Sequence, residues 1–515
     1  MKNRVSEEEK KETEKYLKTT AKQSSVVFFG RFLGYILGFF VNFILARLFG
    51  ARIFGQYSIV KTVVDVIVVF SVLGLDNGII KYVPIYRSDN KKEKVIEVLR
   101  ISFVFCMVFS FISLVGVIIF RHIIANNIFQ DNNLVLAFQY GAWLIIPFAL
   151  RRIFNSVFLT LKNIKYYVYS VEVIRRLLII VILLILYYFD LLNIKYIIIV
   201  ILLIEIINIF YLVKKINVFN INIKNILNIK LTYDNNEYKN LRNKLLKFST
   251  TVIFIQVIFY LLNKVDRIML GIYKTSNVVG VYSTAASITI LLTFFLNATS
   301  MSFSPIISEL YHKQNINLLE KLYSAITKWV IILSMPILIS IFFYAEDIML
   351  FFGEEYLLGT STLIILAIAQ FINAATGANG YLMNMCGLEK VSLKNDVLML
   401  IFNIILNILL IPKYGILGAA IATSLSVIVF NLFKLFKVNQ ILNINPYNFN
   451  YTSILISLVI VIIMNNYFEK YFNINIILVF FITLISMLIF ILIAFTLRDE
   501  MDDFIFEKIK SKFKL

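Results

Sequence analysis

Long apolar runs cut by short charged clusters constrain this chain more than any other feature. About 20 mostly apolar residues make one helix that crosses the ~30 Å hydrocarbon core of a bilayer. Runs of that kind lie near 25–49, 54–80, 97–120, 134–160, 167–189, 194–213, 248–272, 278–303, 324–345, 360–384, 392–411, 414–436, 450–468 and 473–496. Fourteen such spans need about 280 positions, and 60% of the 515 residues are apolar. The charged share is 16%, against ~25% in soluble domains. A soluble enzyme, a disordered chain and a disulfide scaffold are excluded. A transmembrane β-barrel is excluded too, because its short alternating strands give no long apolar runs. The expected fold is an all-α polytopic membrane protein with 14 transmembrane helices.

The formal net charge is +19. In a chain this apolar, such a surplus points to cytoplasmic loops and an anionic partner rather than to nucleic acid. Placement of Lys and Arg supports that reading. The N-terminal tail carries seven (Lys2, Arg4, Lys10, Lys11, Lys15, Lys18, Lys22), and eight lie between Lys214 and Lys247. Around the loop after the second run there are six (Lys81, Arg87, Lys91, Lys92, Lys94, Arg100); the loop after the third has only Arg121. The loop after the ninth has none beside Glu346, Asp347, Glu354 and Glu355. Cytoplasmic loops are the Lys/Arg-rich ones, so both termini are expected in the cytoplasm. The polar N-terminal stretch has no apolar h-region and does not read as a signal peptide. Cys106 and Cys386 imply no disulfide framework. His122 and His312 fall in loops or at span ends, and no zinc site is expected.

The polar stretch 214–247 divides the runs into six and eight. Gly55-Gln-Tyr-Ser opens the second run and Gly280-Val-Tyr-Ser the eighth, 225 residues apart. Internal repeats with substrate held between the halves recur in transporters. Further stretches are LARLFGARIFGQYSIV (45–60), VLGLDNGIIKYVP (72–84), VDRIMLG with VGVYSTAA (265–286) and YGILGAAIAT (414–423). The last is a Gly/Ala-rich helix entry suited to close packing. In these stretches and their order, the chain resembles the polysaccharide-export flippases of the multidrug/oligosaccharidyl-lipid/polysaccharide exporter superfamily. That group includes the O-antigen-type and archaeal lipid-linked oligosaccharide flippases. The resemblance implies two six-helix lobes plus two extra C-terminal helices in a V-shaped, alternating-access bundle. On that reading residues 1–24 are a cytoplasmic tail, 25–213 an N-lobe, 214–247 a connector and 248–436 a C-lobe. Residues 450–496 hold helices 13 and 14, and 497–515 a second cytoplasmic tail.

Ionisable residues inside spans are costly and usually face a cavity or one another. Eight cations (Arg31, Lys61, Arg151, Arg152, Arg175, Arg176, Lys264, Arg267) stand against four anions (Asp65, Glu172, Glu205, Asp266). Lys61/Asp65 and Glu172/Arg176 are spaced for i,i+4 pairs and equally for a cavity wall. Arg31 has Val27, Phe28, Gly34 and Tyr35 at its helical neighbour positions, so no local carboxylate serves it. The candidate substrate-binding residues are Arg31, Lys61, Arg151, Arg152, Arg175, Lys264 and Arg267. Asp65, Glu172 and Asp266 are the candidates for ion coupling or gating; the 264–267 group also resembles the family's charge motif in the seventh span.

The expected function is translocation of an anionic lipid-linked oligosaccharide across the cell membrane. Its phosphate or diphosphate would meet arginines, whose fork-shaped guanidinium matches phosphate oxygens. A multidrug or organic-cation antiporter is the alternative, and an acidic cavity would mark it. A membrane glycan polymerase or ligase is a third class, but no outer loop exceeds about 15 residues by these boundaries. HExxH and P-loop motifs are missing, and GIYKTS (271–276) lacks phosphate-cradling glycine spacing. No enzyme activity, cofactor or metal is expected; membrane lipids and glycan-assembly enzymes are the expected partners. Arg31→Ala should abolish transport while membrane insertion is intact, and Arg31→Lys should be impaired as well if bidentate phosphate contact matters. Liposome transport assays beside a membrane-fraction blot read both.

Overall fold

The computed structural model describes residues 7–161, 164–217, 236–447, 451–472 and 474–497, without the side chains of 7–28, 31, 217, 236–237, 251 and 301–302. All regular structure among these residues is helical. The elements are α1 (Glu7–Val72), α2 (Leu75–Ser88), α3 (Lys92–His122), α4 (Leu134–Gly141), α5 (Ile145–Thr160), α6 (Ile164–Tyr167), α7 (Arg175–Tyr188) and α8 (Ile194–Asn217). They continue with α9 (Asn236–Leu262), α10 (Val265–Tyr273), α11 (Ser276–His312), α12 (Ile316–Leu350), α13 (Thr360–Ala375) and α14 (Asn379–Met385). The last four are α15 (Glu389–Tyr414), α16 (Ile416–Leu442), α17 (Thr452–Tyr471) and α18 (Ile476–Thr496). A π-helical stretch, Val168–Ile174, joins α6 to α7.

Twelve helices among the described residues are long and apolar enough to cross a membrane. Two features account for the distance from fourteen. The first candidate, Phe32–Val72, has 41 residues, about 60 Å at 1.5 Å per residue, twice the hydrocarbon thickness. It bends at Gly50, whose φ of 78° is outside the helical region. The expected fifth span is divided by the π-helical stretch, which leaves 14 continuous α-helical residues in α7. Both features are consistent with fourteen crossings.

Contacts divide the chain into two units: one holds residues up to Phe49 with Gln56–Tyr260, the other Gly50–Gly55 with residues from Leu261 onward. The division falls inside the α9 segment rather than in the polar stretch before it. In the first unit Phe138, Phe154 and Phe158 are fully buried, and Phe154 meets Phe103 edge-on at 5.3 Å. In the second, α18 and α17 pack on α12 through a cluster containing Ile332, Ile339, Val461 and Phe490. The opposite face of α18 exposes Ile477, Phe480, Leu488 and Leu492, as a lipid-facing helix must. Polar residues inside the helices back-bond to their own turn: Ser102 Oγ donates to the Val98 carbonyl, Ser426 Oγ to Ala422 and Ser457 Oγ to Ser453. In the Gly/Ala-rich entry to α16, Gly418, Ala419, Ala420 and Ala422 are buried, as close packing requires.

Two glycines of the repeat meet within the second unit. A Cβ at Gly55 would strike the Ser276 carbonyl, and one at Gly280 would strike the Ala51 carbonyl. Residues 51 and 276, like 55 and 280, are 225 apart, so the contact is reciprocal. Backbone sits on backbone here, and neither side can yield. Gly280→Val should therefore cost at least ~1–3 kcal/mol. A lowered melting temperature and a smaller monodisperse peak in detergent would register it; an unchanged melting temperature would contradict the tight crossing.

Candidate functional site

Every intramembrane charge of the first unit that the structure describes is engaged. Lys61 and Asp65 stand one turn apart on the second half of α1, Nζ to Oδ2 at 2.6 Å. Glu172 and Arg176 pair at 2.8 Å across the π-helical stretch and α7. Arg176 also donates to the Gly34 carbonyl. The spacing had allowed both pairs. The π-helical turn itself carries no pattern visible in sequence, although such turns often mark functional sites.

Two further groupings join residues far apart in the chain. On α8, Glu205 is fully buried, and its Oε1 accepts from Arg151 Nη1 of α5 and from Arg175 Nη1 of α7, the latter at 3.1 Å. Arg175 Nε donates to the Val171 carbonyl at 3.1 Å, and the Arg151 guanidinium lies 4.5 Å over the Phe148 ring. Next to Arg151, Arg152 turns to another carboxylate. Its Nε and Nη2 reach Asp76 Oδ2 at 3.2 and 2.8 Å, and Nη2 reaches Gln256 Oε1 at 2.7 Å. Gln256 Nε2 closes the ring on the Asp76 carboxylate at 3.3 Å. Tyr57 lies within Coulombic reach of Lys61, Asp65, Arg175 and Glu205, and Arg151 within reach of Asp65, Tyr167 and Tyr260. The Lys61 pair and the Glu205 group therefore lie within electrostatic reach of each other.

Five cations (Lys61, Arg151, Arg152, Arg175, Arg176) face four carboxylates (Asp65, Asp76, Glu172, Glu205) in these pairs. The surplus sits at Glu205, where two arginines share one oxygen. Asp76 and Gln256 were not singled out from sequence. Asp76 lies inside the VLGLDNG stretch, just past the break at Leu73 and Gly74, where both φ angles are positive. The side chain of Arg31 lies outside the described residues.

Lys264, Asp266 and Arg267 belong to the second unit. Asp266 opens α10; its Oδ1 accepts the Arg267 backbone N–H at 2.9 Å and its Oδ2 accepts the Tyr282 hydroxyl of α11. The Tyr282 hydroxyl is 3.5 Å from Thr423 Oγ1, which Asn403 Nδ2 approaches at 3.4 Å. Asn407 donates to Asn403 Oδ1 at 2.9 Å and keeps its own buried Oδ1 without a partner. Lys264 and Arg267, at offsets of two and one, do not face Asp266 on a helix, and its side-chain partner comes from another helix. Lys434 and Asp396 pair at 2.6 Å between α16 and α15. Among the described residues no group of three His, Cys, Asp or Glu side chains is placed to hold a metal ion. His122 and His312 end α3 and α11 and are exposed.

A sequence profile of the polysaccharide biosynthesis protein family matches residues 20–311, more than half of the chain. The chain belongs to that family. A second profile, MatE, matches residues 252–409, so the resemblance to the wider exporter superfamily holds. Among its relatives are two proteins from Haloferax volcanii. It is 30% identical to a probable low-salt glycan biosynthesis flippase, Agl15, over 40% of this chain and 42% of that one. It is 29% identical to a probable flippase, AglR, over 31% and 34% respectively. The chain thus spans well under half the length of these two. In fold it is similar to a solved structure of the lipid II flippase MurJ (inward closed conformation), with TM-score 0.71 and 18% identity, covering 92% of this chain and 98% of that one.

The Arg152–Asp76–Gln256 ring ties α2, α5 and α9 together. A hydrogen bond to a charged group contributes about 1.5–3 kcal/mol, and losing one partner of a desolvated pair costs more than replacing both. Asp76→Asn should lower the melting temperature in detergent, and Arg152→Met combined with Asp76→Leu should recover part of the loss. Additive effects in that double-mutant cycle would dismiss the ring as a stabilising unit.

Proposed function

We propose that this protein is a flippase that carries an anionic lipid-linked oligosaccharide across the cell membrane by alternating access. The observation that carries the reading is the arginine-rich cluster of the first unit, with more cations than carboxylates. Isolated charge in an apolar medium is expensive, so a net-positive cluster favours an anionic visitor. A phosphate or diphosphate carrier supplies one, and Arg151 and Arg175 offer fork-shaped donors for it. Family membership and the printed names of the two Haloferax relatives support the glycan part of the substrate. The glycan would ride in water while the lipid tail stays in the bilayer. The lobe boundaries read from sequence, cytoplasmic termini, plasma-membrane location and contact with glycan-assembly enzymes belong to the same proposal. So does the absence of catalysis.

The MatE match over 252–409 favours a second reading, an organic-cation antiporter. The sign of the cluster in the first unit opposes it. Reconstitution into liposomes decides: a labelled lipid-linked oligosaccharide should become accessible to an external probe in protein-dependent fashion. Ethidium uptake without glycan flipping would replace the proposal by the antiporter.

Of the three carboxylates read as candidates for ion coupling or gating, we propose Asp266 for coupling to a cation. Asp65 and Glu172 each hold a Lys or Arg partner, whereas the contacts of Asp266 are with neutral donors. A buried carboxylate on neutral hydrogen-bond donors can take a cation, and the oxygens of Thr423, Asn403 and Asn407 near Tyr282 suit a hard one. Asp266→Asn should remove the dependence of flipping on an imposed Na⁺ or H⁺ gradient, while Asp65→Asn keeps it. Gradient dependence unaltered in Asp266→Asn would return that carboxylate to a structural role.

A further inference from the structure

We propose that Glu205 is the release group of the anion site: it competes with the substrate's phosphate for Arg151 and Arg175 and so keeps the bound anion exchangeable. The inference rests on the anionic-substrate reading above and adds a role for a residue that touches no substrate.

Glu205 is fully buried, whereas the side chains of Arg151 and Arg175 keep 19% and 14% of their surface accessible. The arginines are thus the members of the group that an anion can reach, and the carboxylate is not. Both arginines bond the same oxygen of Glu205, and the other oxygen, Oε2, is buried and accepts no hydrogen bond. One carboxylate charge thus serves two guanidinium charges, and half of its accepting capacity is unused. Each guanidinium carries five N–H donors. Arg151 directs one nitrogen to Glu205; Arg175 directs one to Glu205 and one to the Val171 carbonyl. Donors remain on both for phosphate oxygens.

The geometry is held from outside the pair. Phe148 lies under the face of Arg151, and Val171 anchors Nε of Arg175. The arginines can therefore shift their donors from Glu205 to a phosphate without leaving their places. With a phosphate bound, the spare oxygen of Glu205 gives a route back: either arginine can return to Oε1 or Oε2 as the anion departs. Without Glu205, two unopposed guanidinium groups in an apolar wall would hold a diphosphate too tightly for turnover. A transporter needs binding strong enough to load and weak enough to unload, and Glu205 sets that balance as a positioning residue.

The test uses the full chain in nanodiscs of neutral phosphatidylcholine, with geranylgeranyl diphosphate as probe and geranylgeraniol as the uncharged control. Binding is read by ligand-dependent melting shift and by equilibrium titration. Wild type should prefer the diphosphate, and Arg151→Gln should lose that preference. Glu205→Gln should bind the diphosphate about tenfold more tightly or better, the range set by one charge-assisted contact. In liposome assays it should show a lower KM together with a lower kcat. Glu205→Asp, which keeps the charge on a shorter stem, should fall between. A merely structural Glu205 predicts the opposite: weaker or equal binding in Glu205→Gln, with Glu205→Asp matching wild type, and either result overturns the proposal. If Glu205→Gln does not fold, Glu205→Asp decides alone, by tighter binding for the proposal and unchanged or weaker binding against it. Wild type that fails to distinguish diphosphate from alcohol would overturn the anionic-substrate reading itself, whereas normal discrimination insensitive to Glu205 removes only the release role.

Discussion

Charge neutralisation in an apolar surrounding is the constraint on which the rest of this structure depends. An ionised group withdrawn from water must be paired, hydrogen-bonded or neutralised by a proton. Each described intramembrane carboxylate of the first unit accordingly lies against Lys or Arg, from Asp65 on α1 to Glu205 on α8. These pairs decide which helices touch. Arg152 brings α5 to α2 through Asp76 and to α9 through Gln256, and Glu205 joins α5, α7 and α8. Without a hydrophobic driving force between helices in lipid, such contacts and close backbone packing supply much of the specificity.

The same constraint explains why carboxylates gather where helices break. Asp76 follows the break at Leu73 and Gly74, and Asp266 follows the break at Asn263 and Lys264. In both places the carboxylate accepts the backbone N–H of the next residue at 2.9 Å. The first turn of a helix has unsatisfied N–H groups and the positive end of the helix dipole, which offsets part of the cost of burying an anion. Glu172 sits in the π-helical stretch, where the ladder is again irregular. Irregular backbone at membrane depth is tolerated where protein or a water-filled cavity covers it, so the breaks and the charges mark the same surfaces.

Much of this was legible in the sequence, and the limits have a physical cause. Run length and composition establish a polytopic helical protein because a bilayer admits little else. Lys61–Asp65 and Glu172–Arg176 are readable because helical geometry converts a spacing of four into contact. The Asp76, Arg152 and Gln256 ring is not, since its members stand 76, 104 and 180 residues apart and no periodicity links them. Sequence counting also treated Arg151, Arg152 and Arg175 as one pool of positive charge. The structure separates them: Arg152 has the Asp76 carboxylate and Gln256 to itself, with Nη1 buried and unpartnered, while Arg151 and Arg175 share a single acceptor. Neighbours in sequence on α5 thus do different work, because adjacent helical positions point about 100° apart.

That separation bears on what a transport site requires. A site of fully matched ion pairs binds no anion well, because each guanidinium must first leave a buried carboxylate. A site of unmatched arginines costs too much to fold and holds its anion too firmly. The first unit contains an intermediate arrangement, in which matched pairs at Asp65, Asp76 and Glu172 keep the wall rigid and one under-matched pair stands at Glu205. In the second unit Asp266 accepts its two hydrogen bonds from neutral donors, the Arg267 backbone and the Tyr282 hydroxyl. On the function proposed above, the first place would take the anion and the second the coupling cation. Binding of either shifts conformational populations only insofar as it binds one state better than another, and buried, under-matched charges give large differences when their exposure changes.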